Sequence, residues 1–386
     1  MKHEIFWENP SYKARPELTK DISCDYLIIG GGITGISTAY FLAKQGAKNI
    51  VIIEKNHIGS GATGKAAGTL VLRGESDLIQ LIEHHGKKRA ELYWEEIHEG
   101  MRGIKKVIEE ENIDCDAEPQ DTLYCDTAKK TDEYLVGEYE AEKSIEKSTI
   151  FLEGEALKKE INTPFFTHGI LSKNHGLSVN PLKCVQNFSK AVEKYGVKIY
   201  EDTSLLDIKD NTAKTNRGDI QFKKCIIAID AKHPSEEVKN IKSTIVITRT
   251  LSDEELVSTG LNKKKIVFDS QNHYYYFKVT KDNRLLFGFG GIKVHKKYNK
   301  VDPHFPHLNN IKKFMKKLFP YLDLKLEYTW AGTFGSMKHF APPLIEYKNN
   351  TVAIAGAATQ VVCFLAAKHV ANKLLGKPSK LDVFFA

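Results

Sequence analysis

The chain has 386 residues, more than one hydrophobic core fills, so two domains are expected. With 41% hydrophobic and 27% charged residues the composition is that of an ordinary globular protein, which excludes a disordered or fibrous chain. The formal net charge of +7 is spread through Lys-rich runs such as Lys263-Lys264-Lys265, without the clustered Arg and interleaved aromatics that nucleic-acid binding requires, and is read as a solvated basic surface with a mild preference for anions.

In chain order, Met1 to Glu8 lacks the apolar run and small-residue cleavage site of a secretory leader. The uncharged stretch Tyr26 to Ala43 is interrupted by Gly30, Gly31, Gly32 and Gly35 and does not read as a membrane span. Six cysteines stand far apart with no C-x-x-C and no metal-ligand spacing, so they read as reduced thiols and the chain as cytoplasmic, without a metal.

Asp25 to Ile29 is a β-rich run, followed at once by Gly30-Gly31-Gly32-Ile33-Thr34-Gly35, a stretch with helical apolar spacing to Ala43, and a second β-rich run, Asn49 to Ile53, ending on Glu54 and Lys55. This is strand, glycine turn, helix, strand, acid. Gly30 makes the tight turn, Gly32 lets backbone N–H groups near Ile33 and Thr34 approach a pyrophosphate, and Gly35 lets helix and strand pack closely. The phosphates sit at the positive end of the helix, and Glu54 accepts the ribose hydroxyls. A dinucleotide-binding α/β domain of the Rossmann type follows.

The segment Gly61-Ala62-Thr63-Gly64-Lys65-Ala66-Ala67-Gly68 is a small-residue loop that lets a flat ring and phosphate oxygens come against backbone, which NAD does not require at this place. Further on, the run from Leu78 to Ile108 has an amphipathic helical pattern whose apolar face packs as core. Gly176 to Pro181 precedes another helix, and Gly196 to Tyr200 forms a third strand. Between Glu236 and Lys325, Lys265 to Asp269, His273 to Val279 and Arg284 to Gly288 read as strands. Along His273-Tyr274-Tyr275-Tyr276-Phe277-Lys278 the side chains alternate, so Tyr274, Tyr276 and Lys278 share one face and His273, Tyr275 and Phe277 the other. His304 and His307 are expected at the surface.

These features together resemble the glycine/D-amino-acid oxidase (DAO) family of FAD-dependent oxidoreductases along the whole chain. Phe6-Trp7, Pro10, Arg15-Pro16 and Leu18 are similar to members near gamma-glutamylputrescine oxidase, and Ala66-Ala67-Gly68 to the sarcosine and dimethylglycine dehydrogenase branch. Trp330-Ala331-Gly332-Thr333, Pro342 to Ile345 and Val352 to Gly356 resemble the closing strand of the family's FAD domain.

The resemblance implies non-covalent FAD, since Lys65 stands where relatives with covalent flavin have His, and Trp330 close to where others have Cys. It places Leu205 beside the adenine. It implies a discontinuous FAD domain (1–76, 150–235 and 326–386) and an α+β substrate domain on an antiparallel sheet (77–149 and 236–325). FAD contacts are expected from Gly30, Gly32, Ile33, Thr34, Gly35, Glu54, Lys55, the 61–68 loop, Leu205, Ala228, Gly332, Gly356, Thr359, Gln360 and Val361.

Substrate contacts are expected from His273, Tyr276, Lys278 and Trp330, with Trp330 as a pocket wall and Lys278 pairing a substrate carboxylate. The implied reaction is oxidation of the C–N bond of a small amine or amino acid, with hydride passing to the flavin, hydrolysis of the imine, and reoxidation by O2 or another acceptor. A hydroxy-acid dehydrogenase and a flavin-binding scaffold with little activity are the alternatives. The oligomeric state is left open. The chain departs from the family's pattern at Ala228-Ile229-Asp230, where Ala-x-Gly is common, at Thr359 and Val361, where glycines are usual, and at Lys278, where Arg is common.

Overall fold

The computed structural model describes residues 1–72, 76–127, 132–146, 148–270, 275–293, 305–337 and 342–384. The first half runs β1 (Ile22–Ile29), α1 (Ile33–Lys44), β2 (Ile50–Ile53), β3 (Thr69–Val71), α2 (Leu78–His85), α3 (Lys87–Glu110), β4 (Glu118–Thr127), α4 (Asp132–Ile145), β5 (Thr149–Glu153), α5 (Gly154–Glu160), β6 (Phe166–Ser178) and α6 (Pro181–Glu193). The second runs β7 (Lys198–Tyr200), β8 (Leu205–Lys209), β9 (Thr212–Thr215), β10 (Asp219–Ile227), β11 (Val238–Thr250), α7 (Asp253–Thr259), β12 (Lys265–Asp269), β13 (Tyr275–Val279), β14 (Arg284–Lys293), α8 (Phe305–Leu318), β15 (Leu326–Met337), β16 (Leu344–Lys348), β17 (Thr351–Ala355) and α9 (Gln360–Leu374).

The near-continuous apolar sequences of β1 and β2 are those of strands covered on both faces. They lie in a sheet of order β16-β17-β10-β1-β2-β7, with β1 parallel to β2 and β10. Ile28 and Ile52 point into one core with α1, α3, α6 and α9, whereas Leu27, Ile29, Val51 and Ile53 point into the other, closed by Leu18, Ala213 and Phe222. The strand–turn–helix–strand unit is therefore built as the sequence pattern requires.

The second sheet has the order β15-β11-β14-β13-β12-β4-β6-β3, with β5 paired to β6. It is antiparallel except where β12 runs parallel to β4. Alternation sends Val246, Phe277 and Phe287 to an outer core under α8, and Ile245, Ile247, Leu286 and Trp330 to an inner face shared with Trp7 and Ala67. By hydrogen bonding, β3, β5, β6 and β15 all belong to this sheet.

Two local readings change. The amphipathic run from Leu78 is two helices, because Gly86 at φ +76 ends α2. His307 is 1% exposed, against Phe289 and with its Nδ1 3.3 Å from Thr244 Oγ1, because the first turn of α8 docks on the sheet. His304 lies outside the described residues. Among the described residues no helix is long and apolar enough to cross a membrane.

Candidate active site

The glycine turn shows which glycines the fold needs and which it leaves open. A Cβ on Gly30, at φ +116, would lie 2.4 Å from the Ala228 carbonyl oxygen, and one on Gly35 would lie 2.0 Å from the Gly30 carbonyl oxygen. Both are demanded by packing. Gly32 differs: a Cβ there meets only Thr63 Oγ1 at 3.2 Å. Open space in front of a glycine at the N-terminus of α1 is a cradle for a ligand, and Gly32 supplies no side-chain cap to the helix. Thr63 Oγ1 accepts the Ile33 N–H at 3.1 Å, tying the 61–68 loop to this turn. Glu54 accepts the Gly31 N–H at 2.8 Å and the Asn56 N–H at 3.1 Å, which fixes its carboxylate at the tip of β2, with Lys55 exposed beside it.

The 61–68 loop is gripped at its carbonyls from three separate elements. Trp330 Nε1–H donates to Lys65 O at 2.8 Å, Trp7 Nε1–H donates to Ala66 O at 2.8 Å, and Lys278 Nζ donates to Gly68 O at 2.7 Å. Gly68 O also accepts the Val179 N–H at 2.9 Å, while Asn180 caps α6 from the same segment. Trp7 was not foreseen as a site residue. Its indole is far from the loop in sequence, and an aromatic pair near a terminus signals burial without saying on what.

The expected substrate residues divide. Tyr276 and Lys278 do share the inner face of β13. Tyr276 is partly buried, its hydroxyl is 3.2 Å from Ser243 Oγ, and burial pushes its pKa up to about 12. Its ring lies on Gly288, where a Cβ would be 1.9 Å from the ring.

Lys278 is fully buried rather than reaching water, and burial holds its pKa down to about 7. Its nitrogen donates to Gly68 O and, at 2.8 Å, to Ser178 Oγ. Two of the three donors of an ammonium are thus engaged within the protein. Trp330 likewise has no exposed surface and packs among Trp7, Ile245 and Leu286 while its indole N–H holds the loop. His273 lies outside the described residues.

At the far end, Thr359 replaces a glycine because it caps α9, its Oγ1 accepting the Val362 N–H at 3.3 Å. Gln360 Nε2 is buried without an acceptor at this helix N-terminus, an unmet donor of the kind that a flavin's pyrimidine carbonyls satisfy. The Val361 side chain is fully buried in the helix core, so only its backbone faces the turn; a β-branched residue is tolerated here because it points away. Asp230 stands where Ala-x-Gly would place glycine. It adopts φ +49, and its Oδ2 accepts the Gly335 N–H at 3.0 Å, while burial raises its pKa to about 6 against the lowering effect of the Gly335, Ala231 and Gly356 N–H groups. A Cβ on Gly332 would lie 3.3 Å from Lys65 Cβ, which puts β15 against the same loop. Leu205 is half-buried in the cluster of Tyr200, Ile227 and Ile229.

The family model described as FAD dependent oxidoreductase (DAO) matches residues 25–372. The chain belongs to this family. Gamma-glutamylputrescine oxidoreductase of Escherichia coli is 28% identical over 379 residues, 95% of this chain and 87% of that protein. Sarcosine oxidase subunit beta of Rhizobium meliloti is 48% identical over 50 residues, 13% of this chain and 12% of that one. The solved glycine oxidase from Geobacillus kaustophilus shares the fold at a TM-score of 0.77 with 19% identity, covering 94% of this chain and 98% of its own. The cofactor is accordingly FAD, and the open cradle at Gly32, the small-residue loop and the unmet donor at Gln360 fit it.

Proposed function

We propose that this protein oxidises the carbon–nitrogen bond of a small amine or amino acid at the carbon next to nitrogen. The observation that carries the reading is the junction of the two sheets. The inner face of β13, with Tyr276 and Lys278, lies directly against the 61–68 loop, so a substrate between Tyr276 and the cofactor would be enclosed by aromatic surface. The restriction to amines rests on the relatives, which are named for a putrescine derivative, for sarcosine and for glycine.

FAD, when bound, supplies the acceptor for the hydride. The contribution of the chain is positioning. Trp7, Trp330 and Lys278 hold the loop that faces the ring, Thr359 and Asp230 hold the turn at its other end, and Tyr276 lines the face where substrate would lie. Gly30, Gly32, Ile33, Thr34, Gly35, Glu54, Lys55, Lys65 and Ala228 are proposed to hold the dinucleotide, which is proposed to be bound without a covalent bond.

Anaerobic mixing with a panel of primary and secondary amines, amino acids and 2-hydroxy acids tests the proposal. Bleaching of the flavin band by amines alone is the expected outcome. Bleaching by hydroxy acids alone would transfer the protein to the alcohol-oxidising reading, and an inert flavin against the whole panel would leave a scaffold.

A further inference from the structure

The six cysteines stand far apart in sequence, yet the fold brings two of them together. After α3 the chain turns at 111–117 before it enters β4, and this turn lies against the start of α6. The Asn180 N–H donates to Cys115 O at 2.8 Å. The Lys183 ammonium pairs with Asp114 at 2.8 Å and with Asp116 at 3.2 Å, and the Asn187 side-chain amide donates to Asp114 O at 2.6 Å. Residues 180, 183, 184 and 187 follow the spacing of one helix face, so the face of α6 that grips the turn carries Cys184 at its centre. On the turn, the residue between the two acids that Lys183 bridges is Cys115. Both side chains are buried in the same core, Cys115 1% and Cys184 7% exposed, and their thiols face each other.

This pair differs from the other four cysteines. Burial pushes the thiols of Cys24, Cys125, Cys225 and Cys363 up, which keeps them protonated and inert. Cys115 is shifted the other way: the Cys184 thiol favours its thiolate, against burial and the charges of Asp114 and Asp116, and the Lys183 ammonium adds to the same side. The Cys115 contact and then burial push Cys184 up, so it stays a thiol. An ionisable sulfur beside a protonated one is the arrangement of an attacking and a resolving cysteine. The turn also lies at the surface, with Asn112, Asp114 and Ala117 exposed, so a small oxidant can approach it.

We propose that Cys115 and Cys184 form a redox couple that closes to a disulfide when a hydroperoxide reaches the turn. The Cys115 thiolate attacks the O–O bond and is oxidised to the sulfenic acid, while the hydroxide that leaves takes up a proton and departs as water. The Cys184 sulfur then attacks the sulfenic sulfur, and the hydroxyl leaves with the thiol proton as a second water. Two thiols and one hydrogen peroxide thus give one disulfide and two waters. The consequence reaches the 61–68 loop, because Leu182 and Val185 of α6 fill the space beside Gly59 and Gly64, and the Val179 N–H holds Gly68 O at 2.9 Å. A bond at Cys184 staples the helix that backs this loop to the entry of β4 and closes a long stretch of chain. The couple belongs to the fold and stands whether or not the substrate is an amine.

The full chain, reduced and freed of reductant, is treated with hydrogen peroxide in slight excess, alkylated, and mapped by peptide mass without reduction. The count of six free thiols should fall by two, with Cys115 and Cys184 recovered as one linked peptide that dithiothreitol separates. The linked protein should melt several degrees higher than the reduced one. Cys184→Ser should stop at the sulfenic acid of Cys115, captured by a dimedone probe, and Cys115→Ser should leave Cys184 open to alkylation. Both thiols alkylated in the treated wild type would overturn the couple, as would a linked peptide that forms only when the chain is unfolded in urea. A linked form that melts no higher than the reduced one would overturn its role as a staple. The wild-type map decides the matter even where a variant does not fold.

Discussion

Three glycines in one turn have different fates when given a side chain. Gly32→Val places its methyl groups in the space in front of α1 and meets only Thr63, so the protein should fold and bind no FAD. Gly35→Val drives a side chain into the Gly30 carbonyl, so it should fail to fold. Absorbance at 450 nm per folded chain separates the two, and a folded Gly32→Val variant carrying stoichiometric FAD would refute the assigned cradle. The turn itself was readable because its signal is local: glycine spacing, flanking β-rich runs and the acid at Glu54 all lie within one βαβ unit.

Lys278 shows what the sequence could not convey. Alternation along β13 gave its face correctly, but the partners that consume its donors, Gly68 and Ser178, come from distant strands. Burial brings its pKa to about 7 from 10.5 in the unfolded chain, so between those values the folded state binds fewer protons than the unfolded one. Stability of the ligand-free wild type should therefore rise as pH increases from about 7 towards 10, while below 7 both states are charged and the full cost of burial remains. Lys278→Met removes that slope. Its advantage over wild type should be largest below pH 7, about 5 kcal/mol at most, and should shrink above it. Denaturant melts across this range check the sign, and parallel curves would mean that the lysine is not buried as a charge.

At the scale of elements, the 61–68 loop has no regular structure beyond the turn Thr63–Lys65 and owes its shape to donors from elsewhere. Trp7→Phe and Trp330→Phe keep nearly the same apolar volume and remove one N–H each, leaving the Ala66 or Lys65 carbonyl without that bond. A buried carbonyl so deprived costs about 1 to 3 kcal/mol. With the loop against the cofactor, as proposed, the loss should appear as faster FAD release as well as a lower melting temperature, and stopped-flow dilution reads the first. Normal release from both variants would show that the loop holds its shape unaided. The sequence offered the small-residue pattern of this loop but not its supports, since Trp7, Trp330 and Lys278 reach it from three parts of the chain that only the packed sheets bring together. Asp230 and Thr359, which depart from the family's pattern, both have structural roles. One anchors Gly335 and the other caps α9, roles that depend on backbone geometry far from their own neighbours in sequence.

Across the whole molecule, α9, whose N-terminus is proposed to border the cofactor, is held by α3 through close contacts at Gly100 and Gly103. A Cβ on either would come within about 3 Å of Leu365 or Phe364. A ligand lodged between such bodies is part of what holds them together, so ligand-free protein should melt at a lower temperature, with a melting point that rises with added FAD. The expected gain is RT ln(1 + [FAD]/Kd), about 4 kcal/mol at a thousandfold excess over Kd. This dependence holds only if the cofactor exchanges. The 61–68 loop contains neither His nor Cys, and position 330 is Trp, so the chain offers no attachment residue at the two places where covalently flavinylated relatives carry one. Acid precipitation should therefore leave all of the yellow colour in the supernatant. Flavin retained in the pellet, or a melting temperature indifferent to FAD concentration, would show that the cofactor is fixed by a bond that these residues do not provide.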